Sequence, residues 1–355
     1  MQALQRECIH YSTHLREEFY IHTIYFGGGT PSLISASHLR YLLCIIRDHF
    51  ELIDQTEISL EANPNGTSRD FFEEINDMGV NRLSVGMQSA KLEELEILDR
   101  KHLLEDVQKA VKQAKASGID NINLDLIFSI PTQTLQSLRE SVLHAIDLEP
   151  RHLSIYGLIL HEDTVLFRKI KSGLINSVDE DLGADMYAWL MRYLPARGFY
   201  QYEISNWAVA PVFQSKHNLQ YWHNLDYIGI GAGAHSHNNG FRWSNLPGIQ
   251  SYINGVKENA GNAFFLPAIH EKLKLQKEDS VKETLMMGLR LTGKGLPINA
   301  INERFGIDVY EMYRKEIEKL LEKALVEILE SKGQQHLRLT EKGRMFGNQV
   351  FMAFI

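Results

Sequence analysis

The sequence predicts an α/β protein built on a parallel sheet, followed by a helical C-terminal part. Three observations carry this. Short β-like apolar stretches alternate with helical patterns through the first two-thirds of the chain, polar residues gather where those stretches end, and from about residue 270 the pattern turns helical. The β-like stretches lie at residues 24–26, 58–60, 83–85, 122–127 and 153–158. Strand-helix repetition of this kind joins parallel strands through crossovers, with helices covering the sheet.

The first element is an amphipathic helix, since Leu4, Cys8, Tyr11, Leu15 and Phe19 recur at spacings of three and four. Such a helix normally forms the second half of a strand-helix-strand crossover, so the chain reads as beginning inside a βαβ unit. Next comes Ile24-Tyr25-Phe26-Gly27-Gly28-Gly29-Thr30, an apolar strand running into three glycines. Without a Cβ, that turn lets the backbone come close to a small polar ligand. Pro31 fixes its exit, and Ser35 or Ser37 caps a helix carrying Leu39, Leu42, Leu43, Ile46 and Phe50.

Further along, Glu61 closes one strand, Gln88 follows another and Asp125 sits within a third. Ligands of α/β sheets bind at strand ends, so these three and the glycine turn are expected to converge on one crevice. Each alone reads more simply as a strand-end residue bonded to nearby backbone. Arg100 suits a ligand carboxylate, although a lone arginine there is more often a solvated helix charge. Two glycine-rich stretches are rejected as phosphate loops. Gly27-Gly28-Gly29 has no following Gly-Lys-Ser/Thr, and Gly229-Ile230-Gly231-Ala232-Gly233 does not open a helix, so neither is a phosphate loop.

Residues 200–207 read as a further strand, with Glu203 and Asn206 toward a substrate side. Helical patterns follow at Leu285, Met286 and Leu289 and at Tyr310, Tyr313, Ile317, Leu320 and Leu321. A hairpin then pairs residues 326–329 with 336–339 through Ser331-Lys332-Gly333, giving a winged-helix-like module. The expected domains are residues 1–210, 211–265 and 266–355. A net charge of −8 argues against nucleic acid and leaves this module as a lid or docking domain. No apolar run suits a membrane span or a signal peptide, so the expected location is the cytoplasm. The two cysteines, Cys8 and Cys44, exclude a disulfide framework and are expected to be packing residues.

Several of these segments together resemble one family. They are Tyr25-Phe26-Gly27-Gly28-Gly29-Thr30-Pro31-Ser32, Glu61-Ala62-Asn63-Pro64, Asn81-Arg82-Leu83-Ser84-Val85-Gly86-Met87-Gln88-Ser89, Asn123-Leu124-Asp125-Leu126 and His217-Asn218-Leu219-Gln220-Tyr221-Trp222. In order and spacing they are similar to radical S-adenosylmethionine proteins related to oxygen-independent coproporphyrinogen III oxidase. The resemblance covers nearly the whole chain. It implies a partial parallel (β/α)6 barrel, here missing its first strand, that binds S-adenosylmethionine at the open edge of its strands. Gly28, Gly29 and Thr30 would meet the methionine end, and Glu61, Gln88, Arg100, Asp125 and Gly157 match other positions that contact that ligand.

There are two departures. Relatives commonly carry Gly-Leu-Pro where this chain has Ser129-Ile130-Pro131. They also carry Cys-x-x-x-Cys-x-x-Cys after their first strand, binding a [4Fe-4S] cluster, and that motif is not in this sequence. As written, the chain is therefore not expected to perform radical chemistry, because no side chain supplies a low-potential electron. The retained first helix favours a late start or a truncation over true loss of the cluster.

His217-Asn218-Leu219-Gln220-Tyr221-Trp222 resembles the His-Asn-x-x-Tyr-Trp signature of the haem-chaperone branch. That branch implies haem binding, with His217 as an iron ligand, Tyr221 and Trp222 as aromatic surface, and His235 as a weaker ligand. A lone histidine beside aromatics is otherwise usually structural, and the chain has 15 histidines. The leading expectation is a chaperone that hands haem to haem-protein acceptors, respiratory ones included, with peripheral membrane contact compatible with such delivery. The alternatives are coproporphyrinogen III dehydrogenation in porphyrin biosynthesis, and a cluster-less interaction protein.

Overall fold

In the computed structural model, all residues are described except 16–18, 178, 259–260, 262 and 332. The chain starts with helix α1 (Gln2–His14) and strand β1 (Tyr20–Phe26), then α2 (Ala36–His49), β2 (Glu51–Ala62), α3 (Arg69–Asp77) and β3 (Arg82–Gln88). It continues through α4 (Leu92–Ile97), α5 (Leu104–Ala116), β4 (Ile122–Phe128), α6 (Leu135–Asp147), β5 (His152–Gly157), α7 (Val165–Lys171) and α8 (Glu180–Tyr193). A hairpin, β6 (Tyr200–Glu203) and β7 (Asn206–Ala208), precedes α9 (Lys216–Trp222). The sheet order is β1-β2-β3-β4-β5-β7-β6, with β2 to β5 parallel and the hairpin antiparallel on β5. This is the expected α/β class, a curled parallel half-barrel.

The chain forms two compact units. One comprises residues 29–33 and 58–214, and the other residues 1–28, 34–57 and 215–355. In the first, Leu83, Val85, Met87, Ile122, Leu124, Leu126, Leu153 and Ile155 are fully buried on one face of β3, β4 and β5, under α5, α6 and α8. Burying such side chains contributes about 1.5–3 kcal/mol each, an upper range since unfolded chains already hide some of that surface. The other face of the same strands carries Ser84, Gly86 and Gln88, then Asn123 and Asp125, then His152, Ser154 and Tyr156, and it lines the open side.

The second unit adds β8 (His235–Asn238), β9 (Phe241–Asn245), α10 (Ile249–Lys257), β10 (Ile269–Lys274) and α11 (Lys277–Gly288). Its last part holds β11 (Leu296–Pro297), α12 (Ile298–Phe305), α13 (Val309–Met312), α14 (Arg314–Glu322), β12 (Val326–Ser331) and β13 (Gln334–Leu339). Strands β11, β13 and β12 form a small antiparallel sheet, so helices followed by a hairpin are present as expected. Lys332, in the expected turn, lies outside the described residues.

Some expectations need correction. Helix α1 ends at His14, because Leu15 turns to extended backbone, so Phe19 is not on its apolar stripe. Cys8 is buried, but Cys44 is exposed, since Leu42, Leu43 and Ile45 take the covered side of α2. Ser35 occupies the N-cap position of α2, yet its hydroxyl bonds to Ser37 and His38 rather than to the helix amides. Residues 200–207 form a hairpin rather than one strand, and Glu203 and Asn206 are buried and bonded to each other.

Hidden on α1 is Glu7, which is 0% exposed. Its carboxylate accepts from the Gly231 amide at 2.8 Å, from Asn245 Nδ2 at 2.6 Å and from the Tyr252 hydroxyl. It thereby fastens α1 to β9, α10 and the glycine turn at residues 229–233, where Gly231 and Gly233 adopt positive φ.

Candidate functional site

A cavity of about 170 Å³ opens where β2, β3 and β4 end, on the polar face of the half-barrel. Of the expected ligand contacts, it brings together Gly29, Thr30, Glu61, Gln88, Arg100 and Asp125. Gly28 and Gly157 are not among its lining residues. Gly157 ends β5, where a Cβ would fall 3.2 Å from the Phe128 ring, so close packing explains that glycine. The lining also includes Asn63, Ser84, Gly86 and His102, which the sequence reading did not single out.

Local structure explains each position. Ser32, just past the glycine turn, accepts the Asn63 amide at 3.1 Å and joins that turn to the end of β2. Between Gly86 and Gln88 the pairing of β3 with β4 shifts by one residue, and Gln88 takes a positive φ of 61°. Bulges re-aim side chains beside binding sites. Here the Gln88 amide folds back over Gly86, where a Cβ would lie 2.9 Å from its Nε2. His102 bonds the Met87 carbonyl through Nε2 at 3.0 Å, and burial keeps its ring below the ordinary histidine range.

Asp125 accepts from Ser84 Oγ at 2.8 Å and from Asn123 Nδ2 at 2.8 Å. Burial raises its carboxyl above the ordinary range, with the negative charge of Glu61 adding a little, against the hydrogen bonds that lower it. The cavity thus combines two carboxylates, one guanidinium, two amides, an imidazole and open backbone at Gly29. That set can hold a ligand carrying both a cationic and an anionic group.

A second cluster surrounds His217 in the other unit. Glu57 accepts the backbone amides of Lys216 at 3.0 Å and His217 at 3.1 Å, anchoring the start of α9. The His217 ring stacks on Tyr25 with centroids 4.5 Å apart, and Tyr221 meets it edge-on at 5.0 Å. Its Nδ1 lies 3.2 Å from Thr23 Oγ1. Burial, then the neighbouring His22, pushes its pKa down to about 4, so the imidazole is neutral near pH 7.

Tyr221 shares the His217 face of α9, four residues on. Trp222 does not, and the Arg290 guanidinium lies 5.2 Å from its ring centroid. His235 is exposed at the start of β8 and does not join this cluster.

Residues 4–145 match the Radical SAM superfamily, and residues 275–346 match the HemN C-terminal domain. A protein of Bacillus subtilis (strain 168) named "Heme chaperone HemW" is 35% identical over 334 residues, covering 94% of this chain and 85% of its own. The chain belongs to the HemW family of radical SAM proteins. The HemW of Lactococcus lactis subsp. lactis (strain IL1403) is 33% identical over 335 residues, with the same coverage of each chain. Among solved structures, coproporphyrinogen III oxidase (HemN) from Escherichia coli aligns with a TM-score of 0.81 at 20% identity, covering 99% of this chain and 82% of that one. The HemN likeness concerns the fold. Among the described residues, no helix is long and apolar enough to cross a membrane.

Proposed function

We propose that the chain is a haem chaperone, binding haem through His217 and passing it to haem-protein acceptors. The HemW relatives supply the name, and the environment of His217 is the observation that carries the reading. A metal-binding histidine needs a neutral ring with one nitrogen held and the other lone pair available. At His217 the ring is neutral, Nδ1 lies by the Thr23 hydroxyl, and no hydrogen bond engages Nε2 among the described residues. Tyr25 and Tyr221 offer aromatic surface beside it. Trp222 lies toward Arg290 and is left out of this haem site.

The cavity between the strand ends is read as the site for S-adenosylmethionine. Glu61 and Asp125 suit its amine and ribose hydroxyls, Arg100 suits its carboxylate, and Gly29 has no heavy atom within 4 Å of where a Cβ would stand. When bound, this ligand supplies a sulfonium whose carbon–sulfur bonds are the labile ones. The two cysteines of this sequence are fewer than the three thiolates a [4Fe-4S] cluster of this family takes, and no step is assigned to a cluster.

Haem titration followed by absorption spectroscopy tests the leading reading. Saturable binding with a shifted Soret band is expected for the native chain, and loss of that shift for His217→Ala. Binding should persist from neutral pH to about pH 5 and fail near pH 4, where the ring protonates. Haem binding unchanged in His217→Ala would move the ligand elsewhere, and no saturable binding would overturn the haem reading.

A further inference from the structure

Behind Asp125 runs a buried chain of hydrogen bonds that reaches well past the cavity. Asn123 Nδ2 donates to Asp125 Oδ1 at 2.8 Å and to Ser84 Oγ at 2.7 Å, and Ser84 donates in turn to Asp125 Oδ2. On its other side, Asn123 Oδ1 lies 2.6 Å from His152 Nδ1 and accepts from Ser154 Oγ at 3.0 Å. His152 Nε2 lies 2.8 Å from the Tyr202 hydroxyl. His152 is 0% exposed, and Asn123 is 2% exposed.

With Asp125 ionised, the chemistry of these groups fixes the direction of each hydrogen bond. A carboxylate only accepts, so the Asn123 amide nitrogen must face Asp125 and its carbonyl oxygen must face His152. That oxygen cannot donate, so His152 carries its proton on Nδ1. Burial holds the ring well below the ordinary histidine range, so it is neutral and Nε2 accepts from Tyr202. Most neutral histidines carry the proton on Nε2, so this tautomer is a specific demand of the chain.

We propose that Asn123 and His152 are positioning residues for Asp125: His152 locks the Asn123 amide, which aims the Asp125 carboxylate into the cavity. The register of the sheet makes this natural, since Asn123 pairs with His152 and Asp125 with Ser154 on the same face. The inference deepens the reading of the cavity as an S-adenosylmethionine site and rests on it for the identity of the ligand. The relay itself rests only on the hydrogen bonds.

The test measures S-adenosylmethionine binding by calorimetry and the His152 ring by ¹⁵N NMR in the full chain. His152→Leu should weaken binding about tenfold, the scale seen when residues supporting a ligating group are removed. His152→Asn, whose amide N–H can replace Nδ1–H, should bring binding back to within about threefold of native. On an Asp125→Asn background, His152→Leu should change binding by less than about twofold, because coupled residues are not additive. An equal tenfold loss on that background, or no rescue by asparagine, would overturn the relay. The ¹⁵N spectrum should show a neutral ring protonated on Nδ1, and a ring protonated on Nε2 or on both nitrogens would also overturn it. Should the native chain bind no S-adenosylmethionine, the reading of the cavity falls, and the ¹⁵N result together with a shift of the Asp125 carboxyl ¹³C resonance in His152→Leu still decides the relay.

Discussion

Glu7 makes the stability of its unit depend on pH in an unusual direction. Burial lifts its pKa from the ordinary 4.5 to about 7, although three hydrogen bonds work the other way. Below pH 4.5 the carboxyl is protonated in both folded and unfolded chains and contributes no difference. Between pH 4.5 and 7 the unfolded chain releases the proton while the folded chain keeps it, so stability falls by about 1.4 kcal/mol per pH unit. Above pH 7 both forms are ionised, and the loss levels off at about 3 kcal/mol. Urea unfolding of the native chain and of Glu7→Gln, measured from pH 4.5 to 7.5, isolates this contribution. The amide does not titrate. Its NH2 group must also face one of the donors at Gly231, Asn245 or Tyr252, so the variant is offset by about 1–3 kcal/mol. The slope is therefore the test: the native chain should lose about 3 kcal/mol relative to the variant across this range. A difference that stays flat within about 1 kcal/mol, or a native chain that gains on the variant, would refute the buried-carboxyl argument.

Two further substitutions follow from particular contacts. Thr132 sits third in the turn that Gln133 closes onto the Ile130 carbonyl, with φ of 69°, a conformation that a β-branched residue rarely adopts. Thr132 is exposed, so Thr132→Gly removes about 1–2 kcal/mol of backbone strain against about 0.5–1 kcal/mol of added chain entropy. Thermal unfolding should shift upward by about 2 °C, and a downward shift would show the threonine side chain to be needed. Glu57→Ala leaves the Lys216 and His217 amides without their acceptor, which should destabilise α9 by about 1–2 kcal/mol and weaken haem binding, read by the Soret titration. Haem affinity equal to the native chain's would show that this anchor does not position His217.

Strand ends were the legible part of the cavity. Glu61, Gln88 and Asp125 each punctuate an apolar run, and the glycine turn stands at another, so convergence could be read without coordinates. Arg100 was legible as a partner for a ligand carboxylate by its type alone, but its place beside the strand ends was not, because it follows α4 in an irregular segment whose course the sequence does not determine. The departure at Ser129 was visible, but its consequence was not: the chain keeps the positive φ that glycine favours, 62° at Ser129, and adds a second strained residue at Thr132. On α9, spacing alone would have separated the aromatics, since Tyr221 lies four residues from His217 and Trp222 lies about a quarter-turn further round. Glu7 was hidden because a single acid beside Cys8 looks like the solvated edge of an amphipathic helix. Its burial follows from β9 and α10, more than two hundred residues away.

The relay behind Asp125 shows why the rest lay out of reach. Ser84, Asn123 and Ser154 sit between residues that are fully or almost fully buried and apolar, and His152 precedes the buried Leu153, a pattern that also describes an ordinary half-buried strand facing water. What distinguishes the two is register. With Ser84 opposite Asn123 and Asn123 opposite His152, three strands bring donors and acceptors to one level, where each satisfies the next. A slip of one residue would turn all of them under the helices and leave them unpaired, at about 1–3 kcal/mol for each group. The network that orients the cavity therefore also helps to fix the pairing of the sheet that builds it. A substitution that breaks the relay while preserving the fold must keep a matching apolar shape at position 152, as leucine does, and one that preserves the relay must keep a donor there, as asparagine does.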